Sequence, residues 1–170
     1  MHPELLPFIN IFTLGDKAAT QRLAARLDLV LTDAAGYAGQ FAEELAERGI
    51  ESEIASQELR DIALIDALLA EDLAVECDWK ETAGEIIDNL NHVLSQQERA
   101  LVLEAQHVGA EEELGPEQLD LVQDTLEPLE LALVMFDLDG DSYPLSVVAQ
   151  EQAEDLAAKA QLLGFKLHQW

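Results

Sequence analysis

The stretch LVMFDLDGDSYPL, residues 133–145, places three carboxylates within five positions directly after an apolar run. Asp137, Asp139 and Asp141 offer oxygen ligands in alternation, as loops that hold Mg²⁺ or Ca²⁺ do. An aspartate at the end of a strand is also the nucleophile of some phosphoryl-transfer enzymes. Asp and Gly are equally the residues that tight turns prefer. The segment therefore has three interpretations: a catalytic aspartate, a metal loop or a β-hairpin.

The catalytic interpretation fits the rest of the chain worst. The Asp-x-Asp pair resembles the nucleophile motif of the haloacid dehalogenase superfamily, which would make Asp137 the nucleophile and Asp139 the acid–base, with bound magnesium. That motif opens a Rossmann-like domain, whereas only 33 residues follow Asp137 here, with Lys159 and Lys166 as their only basic residues. Asp141 stands where the superfamily has Thr or Val, and a third carboxylate would repel a phosphate. We reject this enzyme class.

The metal and hairpin interpretations both stay open, and the residues favour the hairpin. An EF-hand loop needs Gly at position 6 and a bidentate Glu at position 12, but counting from Asp137 gives Ser142 and Val148. Three carboxylates in five residues would still hold a cation weakly. Residues 130–138 are apolar on both faces, which predicts a central strand, and residues 142–149 predict a second strand. The Asp-Gly-Asp between them is turn chemistry.

A second group of reactive side chains lies in LAVECDWK, residues 73–80. Its apolar and polar residues alternate, which predicts a strand with one wet face. This pattern directs Cys77 and Trp79 to the core and Asp78 and Lys80 to solvent. A nucleophilic cysteine needs partial exposure and a nearby base, and the spacing supplies neither. We therefore expect Cys77 to be a buried free cysteine and Trp79 to be a core residue.

Other sequence signatures of catalysis or metal binding are missing from the chain. The four histidines lack the spacing of metal-binding pairs, and there is no P-loop, G-x-G-x-x-G, G-x-S-x-G or cysteine pair. We therefore predict no cofactor and no enzymatic activity.

Charge is the strongest compositional feature. Nine Lys and Arg residues face 35 Asp and Glu residues, for a net charge of −26 and a pI near 4.1. Between Arg99 and Lys159 there are fifteen acidic residues and no Lys or Arg. Such a field opposes direct binding to nucleic acid or an anionic membrane and attracts cationic partners, although acidic residues also simply promote solubility. The acidic surface predicted to bind a partner comprises Glu111, Glu112, Glu113, Glu117, Asp120 and Asp124.

The remaining composition predicts a cytoplasmic protein. A lone cysteine cannot form an internal disulfide, which agrees with a reducing compartment. The apolar segment at residues 5–14 lacks a basic flank and a cleavage site, so we expect it to pack in the fold. No stretch reaches the roughly 20 apolar residues of a membrane span.

The hydrophobic period predicts an α+β protein with one domain, residues 1–170. Its N-terminal half is helical, and its C-terminal quarter is a small sheet with a β-hairpin and a covering helix. Thr82 and Glu85 form a capping box, and Gly164 ends the last helix. The predicted helices are 16–31, 33–48, 57–71, one beginning after Thr82, a short one at 99–107, one beginning at Pro116 and ending before Pro128, and 150–163; residues 165–170 form a last short strand.

Three short stretches also carry a resemblance. ECDWKE (residues 76–81), GDSYPLSVV (residues 140–148) and the closing LAAKAQLLGFKL resemble an uncharacterised family of small bacterial proteins, a domain of unknown function. That family has Asp-Trp-Lys in the middle and Asp-Ser-Tyr-Pro-Leu near the end, and the resemblance implies no activity. In size and charge the chain is also similar to immunity proteins of bacterial toxin systems, which block a basic toxin surface.

These observations lead to two hypotheses. The first is a non-enzymatic, acidic bacterial interaction protein that docks a basic protein partner. Its role would be similar to that of an immunity protein. The second is a metal-binding or metal-dependent hydrolytic protein that uses Asp137, Asp139 and Asp141, joined by Asp78. The sequence leaves the oligomeric state open.

Overall fold

The computed structural model describes residues 1–104 and 115–170, and it confirms the α+β class. The helices of these residues are α1 (Leu5–Thr13), α2 (Lys17–Thr32), α3 (Ala34–Gln40), α4 (Ala42–Glu47), α5 (Ser56–Ala70), α6 (Ala83–Gln96), α7 (Pro116–Leu126) and α8 (Ala153–Leu163). The strands are β1 (Val75–Asp78), β2 (Leu131–Phe136), β3 (Ser142–Ala149) and β4 (Leu167–Gln169). Short 3₁₀ turns follow α7 at Glu127–Leu129 and precede α8 at Gln150–Gln152.

The four strands form one antiparallel sheet in the order β1-β3-β2-β4. Strands β2 and β3 pair from Leu131 opposite Ala149 to Met135 opposite Leu145, so the predicted hairpin and the predicted central strand are both confirmed. Strand β1 comes from the middle of the chain and adds to the far edge of β3.

Both faces of the sheet are covered by helices. Alternate residues of β2 point to opposite faces, as the pleat requires. Ala132, Val134 and Phe136 pack in a core with α1, α2, α5 and α8. Leu131 and Leu133 pack in a second core with α6 and α7. Burial on both faces explains why β2 is apolar at nearly every position.

The apolar N-terminal segment packs as predicted, in the form of a buried helix. Phe8 and Phe12 of α1 are fully buried; Phe8 stacks on Phe165 at a ring-centroid distance of 5.5 Å, and Phe12 lies 6.0 Å from Phe136. Such aromatic contacts add to the burial of apolar area in fixing α1 on the sheet. Neither α1 nor any other helix in the described part of the chain is long and apolar enough to cross a membrane.

Three predicted helix boundaries are confirmed by their capping geometry. The Asp16 carboxylate accepts hydrogen bonds from the backbone N–H groups of Ala18 and Ala19 at the start of α2. Thr82 and Glu85 form the reciprocal capping box of α6. Gly164 follows α8 at φ 81°, a left-handed conformation that glycine adopts without steric cost.

Two helix predictions were wrong in detail. The helix predicted at 33–48 is divided at Phe41, whose φ of −107° leaves the helical range and whose ring stacks on Tyr37 at 4.5 Å. Gly36 and Gly39 also lower the helix propensity of the segment before that point. The short helix predicted at 99–107 is not formed at residues 99–104, and its remainder lies outside the described residues.

Candidate functional site

The two motifs that the sequence singled out are neighbours in the sheet. In the β1–β3 pair, Cys77 lies opposite Tyr143 and Asp78 opposite Ser142. The pairing continues one residue further, because the Trp79 backbone N–H donates to the Asp141 carbonyl at 3.0 Å. The Asp-Trp-Lys and Asp-Ser-Tyr segments therefore lie side by side at one end of the β1–β3 pair.

A cleft of about 380 Å³ opens where these two segments meet the start of α7. We call it the Trp79 cleft, and it is lined by Trp79, Gly115, Pro116, Gly140, Asp141 and Tyr143.

Trp79 is exposed, so its assignment to the core was wrong. Strand β1 ends at Asp78, and the next residues turn: the Asp78 carboxylate accepts from the Lys80 N–H at 2.9 Å and its carbonyl from the Glu81 N–H at 3.0 Å. Aspartate side chains commonly direct such turns. Trp79 therefore leaves the alternation of the strand, and 37% of it is exposed. The Lys80 ammonium lies 5.3 Å from the centroid of its ring.

Tyr143 and Gly115 form the opposite side of the cleft. Tyr143 is half-buried, and its ring packs against the core between the sheet and α6–α7. Gly115 precedes α7 at φ +73°, and a Cβ placed there would lie 3.7 Å from the Tyr143 hydroxyl. A glycine at this position therefore permits the left-handed backbone of the turn into α7, beside the Tyr143 hydroxyl.

A network of charged side chains fixes β1 and β3 beside the cleft. Ser142 Oγ donates to Glu76 Oε1 at 2.8 Å, and Arg48 Nη2 lies 2.9 Å from Glu76 Oε2. The same Nη2 lies 2.6 Å from Asp66 Oδ1 on α5. These contacts join the strands beside the cleft to each other and to α5.

Cys77 is buried, as predicted, and has the environment of an inert thiol. Burial, with a smaller contribution from the charge of Glu81, raises its pKa to about 12. The side-chain amide of Asn89 lies 3.7 Å from Sγ. His92 is exposed, and His107 lies outside the described residues. A thiol with this pKa is not a nucleophile at neutral pH.

The three aspartates of the opening stretch belong to the turn of the hairpin. Asp137 is directed toward β4, where its N–H donates to the Lys166 carbonyl at 3.3 Å and its carboxylate lies 4.0 Å from the Lys166 ammonium. Asp141 lines the Trp79 cleft, and Asp139 is exposed. Across residues 1–104 and 115–170, no three His, Cys, Asp or Glu side chains converge as a metal site requires, so Asp137, Asp139, Asp141 and Asp78 form no such group.

The described part of the predicted acidic surface is one face of α7. Glu117, Asp120 and Asp124 are exposed, whereas the opposite face of the helix is buried as predicted. The Asp120 carboxylate accepts from the indole N–H of Trp170 at 2.7 Å. The remaining predicted residues, Glu111, Glu112 and Glu113, lie outside the described residues. Since Pro116 lines the Trp79 cleft, the acidic face begins at the cleft.

In a comparison with known proteins, a family model matches the chain. The family model described as Domain of unknown function (DUF6630) matches residues 4–170. No curated protein and no solved structure matches the chain. The resemblance to a domain of unknown function is thereby confirmed, and the match extends over nearly the whole chain.

Proposed function

Since the chain belongs to the DUF6630 family, whose function the match does not supply, we propose from its geometry that it is a non-enzymatic interaction protein that docks a basic protein partner. One observation carries this proposal. An exposed indole, Trp79, stands in a cleft between an acidic turn and the first residues of α7, whose outward face bears Glu117, Asp120 and Asp124. Aromatic anchors surrounded by charges complementary to the partner are typical of protein interfaces.

The acidic face lowers the stability of α7, and this loss of stability supports a role in binding. Asp120 and Asp124 are like charges at i and i+4, which destabilise a helix. Cations are favoured near a helix C-terminus, yet the last turn of α7 has none. Solubility alone would be served by acids placed anywhere on the surface. A concentrated acidic face beside an exposed tryptophan fits recognition of a cationic surface better.

The proposed setting is the bacterial cytoplasm, and the proposed role is immunity-like: the acidic face covers a basic surface of its partner. The single buried cysteine and the resemblance described above support this setting. The non-enzymatic part of the proposal is supported by the chemistry of the reactive candidates. Cys77 is a buried thiol whose pKa is raised to about 12, and the carboxylates at the hairpin turn form no metal-binding group of three among residues 1–104 and 115–170.

The test begins with capture of a partner at low salt by the wild-type protein and by two neutralised variants. One variant neutralises the α7 face, and the other removes three exposed acids from α4 and α5 as a matched control. The substitutions are Glu117→Gln, Asp120→Asn and Asp124→Asn in the first, and Glu43→Gln, Glu47→Gln and Glu58→Gln in the second. Both variants change the net charge by the same amount.

A captured protein counts only after its purification and a kinetic measurement. We expect a basic protein whose association rate falls at least about tenfold as salt is raised, because electrostatic steering is screened. The α7 variant should lose a similar factor, and the control variant should lose little. A partner that binds all three proteins equally, or with no salt dependence, would overturn the proposal.

A further inference from the structure

The geometry points to the Trp79 cleft as the anchor site for an arginine side chain of the partner. This inference rests on the proposed function and names the chemical group that the site recognises: a guanidinium held between an indole ring, a carboxylate and a phenolic hydroxyl.

The protein contains an internal example of such a site. The guanidinium of Arg26 lies 4.0 Å from the ring centroid of Phe41. Its Nη2 is 2.5 Å from Glu44 Oε2, and its Nε and Nη2 lie 3.1 and 3.0 Å from the Tyr37 hydroxyl. A planar cation is thus stacked on an aromatic ring while its edge meets a carboxylate and a phenol. This combination satisfies both the π-face and the hydrogen-bonding fork of arginine.

The Trp79 cleft presents the same three groups without the guanidinium. Trp79, Asp141 and Tyr143, which line the cleft, carry a ring, a carboxylate and a hydroxyl. Within residues 1–104 and 115–170, neither the Tyr143 hydroxyl nor the Asp141 carboxylate makes a hydrogen bond or an ion pair. Acceptors that face a cleft and have no partner are what an incoming arginine requires.

Lys80, the next residue in the chain, places a cation beside the Trp79 ring. Its ammonium lies 5.3 Å from the Trp79 ring centroid, and it makes no ion pair in the described part of a protein that has 35 acidic residues. A guanidinium is more weakly hydrated than an ammonium and also stacks and forms paired hydrogen bonds. An arginine of the partner would therefore displace Lys80 from the ring, and Lys80 acts as a weak internal competitor.

The dimensions of the cleft suit a single side chain. Its volume of about 380 Å³ is at the lower end of the range for sites of small ligands. Gly115 and Gly140 line it without side chains, and a Cβ at Gly140 would meet no atom within 4 Å. The walls are therefore backbone and ring surfaces, between which a long, flat side chain enters more easily than a bulky apolar one.

The test is an NMR titration of the ¹⁵N-labelled protein with N-acetyl-arginine amide at low salt. N-acetyl-citrulline amide, which has nearly the same shape but no charge, is the matched probe. We expect saturable shifts of the Trp79 indole N–H and of the Gly115, Gly140 and Tyr143 amides with the arginine probe, and none with citrulline. Shifts by both probes, or shifts away from the cleft, would overturn the inference.

Two variants separate the roles of the cleft residues. Asp141→Asn should weaken binding of the arginine probe about tenfold, because a charge-assisted pair is lost. Lys80→Gln should strengthen it about threefold, because the internal competitor is removed. The control is Glu154→Gln on α8, which packs on the opposite face of the sheet and removes the same charge, so binding should be unchanged. Equal effects of Asp141→Asn and Glu154→Gln would mean that only net charge matters.

The same variants distinguish failure of this inference from failure of the proposed function. If Trp79→Leu and Asp141→Asn leave binding of a captured partner unchanged while the neutralised α7 variant loses it, the protein docks a basic partner without the cleft. If the α7 variant and the cleft variants all bind the partner as the wild type does, the proposed function itself fails. Thermal melting of each variant confirms that it is folded.

Discussion

Arg48 and Asp66, eighteen residues apart in sequence, form an ion pair between the end of α4 and α5: Nε and Nη2 of Arg48 both donate to Asp66 Oδ1, at 2.9 and 2.6 Å. Only 18% of the arginine side chain and 10% of the aspartate side chain are exposed. Arg48 also contacts Glu76 on β1. Burial lowers the pKa of Arg48, but the hydrogen bonds to Asp66 and Glu76 outweigh it and the pKa is raised. One side chain thus joins the end of α4, the middle of α5 and the edge strand.

We expect Arg48→Ala to lower the free energy of unfolding by about 2–3 kcal/mol, because it leaves Asp66 as a buried carboxylate without a cation. Urea unfolding at neutral pH measures this loss. The matched control is Arg22→Ala, which breaks the more exposed Arg22–Glu71 pair and should change stability little, since 61% of the Arg22 side chain is exposed. Equal losses in the two variants would show that burial of the Arg48 pair is unimportant.

The sequence predicted the elements whose signals are local. The capping box of Thr82 and Glu85 needs only residues three apart, and the β2–β3 hairpin needs only two apolar runs with Asp-Gly-Asp between them. The helical end at Gly164 follows likewise from a single residue that tolerates a left-handed conformation. Each of these features is decided within a few residues, so periodicity and turn chemistry are sufficient.

The features that the sequence did not predict depend on turns and packing contacts that hydrophobic periodicity does not encode. Alternation placed Trp79 in the core, but strand β1 ends at Asp78, and the turn that the Asp78 side chain directs leaves the indole exposed. At Phe41, where the predicted helix is divided, the ring packs on Tyr37 of α3 and on the guanidinium of Arg26 from α2. The cleft requires β1, the hairpin turn and the start of α7 to meet. Only the cleft depends wholly on contacts between elements that are distant in sequence, which a local pattern does not reveal.

Glu76 is expected to make stability depend on pH in the acidic range. Burial raises its pKa, but hydrogen bonds from Arg48 and Ser142 outweigh this effect and hold the pKa below the ordinary value of 4.5. A carboxylate with a lowered pKa in the folded state contributes stability above its unfolded pKa, and this contribution is lost as the pH falls through the folded pKa.

The measurement is the free energy of unfolding of the wild type and Glu76→Gln as a function of pH. The variant should be less stable than the wild type at neutral pH, and the difference should shrink as the pH falls below about 4.5. The control is Glu53→Gln in the exposed segment before α5, which should leave the free energy of unfolding at neutral pH close to that of the wild type. A difference between wild type and Glu76→Gln that is constant down to about pH 3 would contradict the assignment.

Cys77 should resist alkylation in the folded protein. With its pKa raised to about 12, only about one thiol in ten thousand is ionised at pH 8, and the side chain is fully buried. Mass spectrometry after treatment with iodoacetamide should find the native protein unmodified over hours and the urea-unfolded protein modified within minutes. Native modification as fast as that of a small free thiol would show that Cys77 is accessible.

Substitution of Asp124 on the acidic face of α7 should stabilise the protein. Asp124 repels Asp120 one turn earlier and lies near the negative end of the helix dipole, so Asp124→Asn should stabilise the protein by about 0.5 kcal/mol. Asp124→Lys should stabilise it further by creating an oppositely charged pair.

Glu117→Gln serves as the control of opposite sign, since Glu117 lies in the first turn, where an acid is favourable. Thermal melting at low salt measures all three, and the differences should diminish at about 1 M salt. Loss of stability in Asp124→Asn would contradict the assigned repulsion.

The separation of Asp137, Asp139 and Asp141 predicts how the protein responds to divalent cations. A cation that binds one folded site stabilises by RT ln(1 + [L]/Kd), about 2.7 kcal/mol at a hundredfold excess over Kd. Since Asp137 lies beside Lys166 and no three such side chains converge in the described part of the chain, we expect no such saturable gain. Calcium, magnesium and potassium chloride at matched ionic strength should raise the melting temperature alike by screening the net charge of −26. Asp139→Asn should respond to these salts as the wild type does. A rise specific to one divalent cation that disappears in Asp139→Asn would instead establish a metal site at the hairpin turn, formed by movement of these side chains.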